Sequence, residues 1–222
     1  MNILLYFSLG ASIASFLGLV VDRFPERSIV LPASHCDHCH SRLGISEMIP
    51  ILSQVYYGSR CKHCKHAIPK RYMVIEAICG ILFVLFGLGQ MQLTTLLLLL
   101  MSLMLALYDL DQQEYPVFVW LVFTSLLLLF AHSYSLFAVL CLFGILAYMF
   151  PLKIGSGDFF YLASLSLIMD KMSSLWIIQI GSWLGIITIL SRKQKRTPIA
   201  FVPFLAAGFV LVLLMQRLGL FL

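Results

Sequence analysis

Leu93-Thr94-Thr95-Leu96-Leu97-Leu98-Leu99-Leu100-Met101-Ser102-Leu103-Met104-Leu105-Ala106-Leu107-Tyr108-Asp109 is an unbroken apolar run that closes on a carboxylate. At about 1.5 Å per helical residue, such a run nearly covers the ~30 Å hydrocarbon core of a bilayer. It is one of several. Apolar stretches at roughly 3–21, 73–89, 92–108, 116–132, 135–151, 159–169, 174–190 and 198–216 make eight candidate spans, the sixth of them short. Hydrophobic residues are 61% of the 222 and charged residues 11%, and mean hydropathy is +0.97, which excludes an ordinary soluble domain. The expected fold is all-α: a polytopic membrane protein of about eight transmembrane helices with a cytoplasmic zinc-knuckle loop.

The basic residues set the orientation. With the N-terminus outside, Arg23, Arg27, Arg42, Arg60, Lys62, Lys65, Lys70, Arg71, Lys153, Arg192, Lys193, Lys195 and Arg196 fall on the cytoplasmic side, and only Lys171 and Arg217 fall outside. Thirteen of fifteen inside is the asymmetry the positive-inside rule demands, so the net charge of +5 reports topology rather than nucleic-acid binding. Met1–Val21 has no basic segment ahead of it and Arg23 and Arg27 behind it, the reverse of a cleavable signal, and is expected to remain as the first span. The expected division is a first span over 1–24, a cytoplasmic four-cysteine loop over 25–72, and a transmembrane core over 73–222.

Within the loop, Cys36-Asp37-His38-Cys39 is followed after 21 residues by Cys61-Lys62-His63-Cys64. Paired CxxC knuckles at this separation fit a closed four-thiolate zinc site, Cys36, Cys39, Cys61 and Cys64, that folds a loop too short for its own core. A reducing cytoplasm argues against stable disulfides, and free or redox-active thiols are the other reading. His35, His38, His40, His63 and His66 stand nearby as solvated or supporting groups. Met48 to Tyr57 is apolar and aromatic but too short to span, and is expected on the membrane surface or against the helices. Glu76, a few residues into the second span, reads equally as a buried acid or as a solvated helix-end charge.

The same threading brings Asp109, at the end of the third span, and Asp158, at the start of the sixth, out on one face. Asp158 closes Gly155-Ser156-Gly157-Asp158, a small, flexible turn whose Gly155 and Gly157 leave room for an extended peptide. Two neighbouring carboxyls do not both ionise easily. One then keeps a proton to donate, while the other takes a proton from an attacking water. Asp111 and Glu114 read as a polar turn before Pro116, which opens the next helix. Taken alone, the two acids also fit a second class, a transporter or zinc-bearing scaffold in which they carry protons or cap helices. No internal repeat of the kind transporters use is visible.

Asp109 with Pro116 seven residues later, together with Gly155-Ser156-Gly157-Asp158, resembles the two-part signature of type IV prepilin peptidases, the GxGD aspartic membrane proteases. Ala14-Ser15-Phe16-Leu17-Gly18, the two-CxxC loop through Arg71-Tyr72 and Glu76, and Phe201-Val202-Pro203-Phe204-Leu205 are similar to further segments of that family, so the resemblance spans nearly the whole chain. It implies a bacterial inner-membrane endopeptidase with catalytic Asp109 and Asp158 that removes prepilin or pseudopilin leaders at the cytoplasmic face. It also implies zinc at the four cysteines and, as in many members, N-methylation of the product from S-adenosylmethionine. The compact form looks most like competence-type members of Gram-positive bacteria. The chain departs from the family pattern at Phe160, where a Lys is usual, at Gly18 for Asn, and at Val202 for Gly.

Overall fold

A computed structural model describes residues 2–132, 134–150, 155–191 and 199–219. Lys153, Arg192, Lys193, Lys195 and Arg196, part of the charge asymmetry, lie outside them. The described residues form ten helices: α1 (Ile3–Arg23), α2 (Ile45–Met48), α3 (Leu52–Tyr56), α4 (Arg71–Gly87), α5 (Leu93–Gln112), α6 (Val117–Leu128), α7 (Ser135–Met149), α8 (Ser156–Ser166), α9 (Lys171–Ser191) and α10 (Val202–Arg217). Two isolated β-bridges are the only extended pairing among these residues. The fold is all-α, with a helix on each of the eight apolar stretches and two short helices in the loop between the cysteine pairs. Three helices, α1, α5 and α9, are long and apolar enough to cross a membrane.

The chain divides into two compact units, Met1–Leu96 and Leu97–Leu222. In the first, α1 packs along α4. Their backbones meet closely at Gly10, where a Cβ would stand 2.5 Å from the Cys79 carbonyl oxygen. Helices in lipid gain little from hydrophobic burial against one another, so close backbone approach and polar contacts supply the association. Ion pairing joins the ends of the two helices: Arg71 meets Asp22 at 2.6 Å, and the Tyr72 hydroxyl donates to the same carboxylate.

In the second unit, α7 packs on α8 and α9 on α10, while α6, α9 and α10 all touch α8. The second unit's part of α5 is lined with fully buried side chains, among them Leu98, Met101, Leu105 and Tyr108. Many outward-facing residues are apolar as well, for example Leu121, Leu142, Ile187 and Leu190, as suits helices facing lipid rather than water.

Among the boundaries that differ from the sequence reading, two carry an acid. Helix α5 continues past Asp109 to Gln112, and Gln113, with φ +59°, closes it by donating its amide to the Asp109 carbonyl. Gly155-Ser156-Gly157-Asp158 is not a free turn. Gly155 is the N-cap of α8, and Asp158 occupies the helix's first turn, where a carboxylate is favoured by the unpaired amides and the helix dipole.

Candidate active site and metal centre

Asp109 is buried near the C-terminal end of α5. Its Oδ2 accepts the backbone N–H of Val202 at 2.9 Å, and the backbone of Phe201 also bonds to the carboxylate. Val202 is the first residue of α10, so the acid sits at the amide-rich start of a 16-residue helix. Phe201-Val202-Pro203-Phe204-Leu205 thereby acquires a physical role: it presents the amides that hold Asp109.

Asp158 is half-buried in the first turn of α8. A methyl group on Gly155 would come within 3.2 Å of its Oδ2, so residue 155 leaves that carboxylate its room. Asp109 and Asp158, the two acids expected from the sequence, lie in the same compact unit, Leu97–Leu222. Asp111 and Glu114 are both exposed, but only Glu114 lies in the turn before Pro116, since Asp111 is in the last turn of α5.

Tyr115, in the link between α5 and α6, stands beside the first turn of α8. Its hydroxyl donates to the Gly157 carbonyl at 2.5 Å, and its ring covers Gly157, where a Cβ would meet Cε1 at 2.9 Å. Gly157 is therefore small to admit the tyrosine. Sequence reasoning gave Tyr115 no role, although its place before Pro116 was a signal. A residue preceding proline disfavours helix, which keeps Tyr115 outside both α5 and α6.

Deeper in the second unit, polar groups tie the acid-bearing helices together. Tyr161 donates to Ser102 at 2.8 Å, and Ser102 donates to the Leu98 carbonyl at 2.6 Å. Ser102 precedes Asp109 by seven residues and Tyr161 follows Asp158 by three, so each partner shares a helix face with an acid. Trp120 donates to Ser164 at 2.7 Å and to the Phe160 carbonyl at 2.9 Å, and Thr124 shares Ser164 at 2.8 Å. Lone Ser, Thr and Tyr residues inside apolar runs gave no sequence signal for this network. The Phe160 ring packs on Trp120, with centroids 4.9 Å apart, and on Gly144, so it is a packing residue.

In the first unit, the two cysteine knuckles repeat one hydrogen-bond pattern. His40 N–H donates to Cys36 O and Cys36 N–H to Ser41 O; correspondingly, Lys65 N–H donates to Cys61 O and Cys61 N–H to His66 O. His40 and Lys65 both have positive φ, and the bridges His35–Arg42 and Arg60–Ala67 close the two turns. This internal repeat brings all four Sγ atoms within 4.8 Å of one another, with Cys36–Cys64 at 3.8 Å and Cys39–Cys61 at 3.9 Å. A tetrahedral zinc with Zn–S near 2.3 Å requires S···S edges of about 3.8 Å. Amides of His63 and Cys64 aim at Cys61 Sγ. The Ser41 hydroxyl and amide bring Cys39 down to about 6. The His66 amide favours the Cys64 thiolate, yet desolvation and the three neighbouring sulfurs push that thiol up to about 12. Four crowded sulfurs of this kind become thiolates together only around a cation, so the donor set fits a metal.

Glu76 is buried, not solvated. Its Oε2 accepts the Ile51 N–H at 2.7 Å, and the Ser15 side chain also bonds to the carboxylate. Ile51 has φ +61° and ψ −54°, a conformation costing a β-branched residue about 1–3 kcal/mol, held by that carboxylate. Gly18 lies under the Tyr72 ring, where a Cβ would be 3.4 Å away. A cavity of about 390 Å³ beside the first knuckle is lined by Ala33, Ser34, Arg42, Leu43, Gly44, Ile45 and Met48. It offers one guanidinium and one hydroxyl but no carboxylate, so this cavity by itself assigns no residue to S-adenosylmethionine.

Residues 8–89 match the profile of the bacterial peptidase A24 N-terminal domain. The chain is similar to a prepilin leader peptidase/N-methyltransferase of Pseudomonas aeruginosa, 31% identical across 92% of this chain and 88% of the relative. A type 4 prepilin-like proteins leader peptide-processing enzyme of Escherichia coli is 27% identical across 94% and 92%, and a prepilin leader peptidase/N-methyltransferase of Bacillus subtilis is 27% identical across the same shares. No solved structure matches the chain significantly.

Proposed function

Because the chain belongs to the prepilin leader peptidase/N-methyltransferase family, we propose that Asp109 and Asp158 are the catalytic pair with which this membrane endopeptidase removes prepilin leaders. The observation that carries the reading is that the two acids stand on separate helices tied by the Tyr161–Ser102 hydrogen bond, one of the acids held by an amide of α10. An amide can only donate, so Asp109 Oδ2 is an acceptor, and the proton shared by the pair rests on the other oxygen of Asp109 or on Asp158. The ionised carboxylate takes a proton from water as the water oxygen attacks the scissile carbonyl carbon. The protonated one donates to the carbonyl oxygen; as the C–N bond breaks, the carboxyl that took the water's proton passes it to the departing amine, and a hydroxyl of the tetrahedral intermediate returns a proton to the other carboxylate. Tyr115 and Gly155 position Asp158, and Gly157 gives Tyr115 its place. The competing transporter reading does not account for the similarity to processing enzymes along nearly the full chain.

The finer assignments belong to the same proposal. The chain is a multi-pass protein of the bacterial inner membrane with eight spans, its N-terminus outside and the acids facing the cytoplasm. Residues 1–24 form the first span, 25–72 the four-cysteine loop and 73–222 the peptidase core. Cys36, Cys39, Cys61 and Cys64 hold a structural zinc, which supplies folding energy to the loop and takes no part in hydrolysis. Glu76 fixes that loop to α4. The substrates are prepilins or pseudopilins presented from the bilayer, and the second activity in the relatives' name, N-methylation, is carried over with S-adenosylmethionine as donor. Co-expression with a prepilin-like substrate, followed by mass spectrometry of the product's N-terminus, tests both activities. A leader-free, methylated N-terminus is expected; an unprocessed substrate overturns the peptidase reading, and a cleaved but unmethylated one overturns the methyltransferase reading.

A further inference from the structure

The loop between the two knuckles is inside out for a segment in water. In α3 the polar Gln54 is buried while Leu52, Val55 and Tyr56 are 65%, 65% and 83% exposed. Ile45 and Met48 of α2 and Ile49 just after it are exposed as well, so both short helices carry exposed apolar side chains. Exposed apolar side chains beside a buried amide mark a surface covered by something other than water.

Depth identifies the cover. The amide of Ile51, between the two short helices, is bound by Glu76. Glu76 lies five residues into α4, about 7.5 Å along the helix axis from Arg71 at 1.5 Å per residue. Helical side chains lean back toward their N-terminus, which returns part of that distance. The loop is thus pinned to the first turns of a membrane helix, at the level where Arg71, Asp22 and Tyr72 gather at the ends of α1 and α4. The loop over 25–70 holds six Lys and Arg against three Asp and Glu, and Arg42 and Arg60 flank the two short helices closely in the chain, placing cations where lipid phosphates lie. We propose that α2 and α3 lie in the interfacial layer of the same bilayer that α1 and α4 enter, with Leu52, Val55 and Tyr56 inserted among the lipids. The inference rests on the membrane placement of α1 and α4 and not on the peptidase assignment.

Tyr56→Trp and, separately, Leu52→Trp in the full chain, reconstituted in phosphatidylglycerol/phosphatidylcholine vesicles without substrate, test it. The unsubstituted protein is subtracted to remove Trp120, Trp176 and Trp183. Two positions guard against one substitution disturbing the fold, and variants are compared only when their circular dichroism matches the parent. The expected result is a blue-shifted added emission that is lost in vesicles of brominated lipid and spared by aqueous acrylamide. Emission lost to acrylamide and spared by brominated lipid overturns the proposal, leaving these side chains open to water for a protein partner such as the substrate's apolar segment. Emission shielded from both quenchers also overturns it, in favour of a cover within the protein.

Discussion

Tyr115 is tied to the turn that carries Asp158 through a hydrogen bond to the Gly157 carbonyl. Tyr115→Phe removes that bond and keeps the ring, so a loss of about 1 kcal/mol in transition-state positioning is expected, roughly fivefold in kcat/KM for leader cleavage. Steady-state kinetics on a prepilin peptide measure it. Gly155→Ala is expected to cost more, because the new methyl would crowd Asp158 Oδ2 from 3.2 Å while the backbone at 155, with φ −64° and ψ 128°, accepts alanine without strain. The loss there reports on the carboxylate alone, and a variant of unchanged rate argues that the Asp158 rotamer is not critical. Both acids were legible in the sequence because a carboxylate at the edge of an apolar run is expensive and therefore conspicuous. Their supports were not: the amide of Val202 is backbone and carries no residue signature, and a tyrosine before a proline reads as part of a turn.

At the scale of elements, the cysteine loop is built on two turns that share one hydrogen-bond pattern. Cys61→Ser is expected to abolish stoichiometric zinc in the purified protein and to lower its unfolding temperature, read by metal analysis and thermal denaturation in detergent. Full metal retention would mean that three thiols and a neighbouring histidine suffice. Helix α9 offers an independent check. Asp170 accepts from Met172 N–H and Ser173 N–H and from the Ser173 hydroxyl, which holds its carboxyl below the usual range. Asp170→Ala should cost about 1 kcal/mol of stability, seen as a lowered unfolding temperature. With a depressed folded-state pKa, the contribution of Asp170 is fully present above the ordinary carboxylate value of ~3.9 and fades as pH falls through the folded value. Helix positions followed from hydrophobicity alone, since each of the eight apolar stretches holds a helix. Helix ends did not follow, because they depend on caps and left-handed residues such as Gln113, and so the sequence placed Asp158 just outside a helix that contains it.

For the whole molecule, the account requires a single orientation. Reporter fusions are expected to show a cytoplasmic loop at 25–72 and an external residue 2, and a loop reporter active only outside the cell would reverse the proposed topology. Composition and basic-residue asymmetry already carried the membrane assignment, whereas the pairing of α1 with α4 and of α9 with α10 had no sequence sign, because helices that are apolar on all sides do not reveal which neighbour they meet. The central claim is that Asp109 and Asp158 cleave the leader together. The most direct measurement is single-turnover cleavage of a membrane-embedded prepilin by the reconstituted protein and by its Asp109→Asn and Asp158→Asn variants, each confirmed folded by circular dichroism. The account predicts that either substitution lowers the rate by about 10²–10⁴-fold, as removal of a general acid or base does; a variant that cleaves at the parent rate would contradict it.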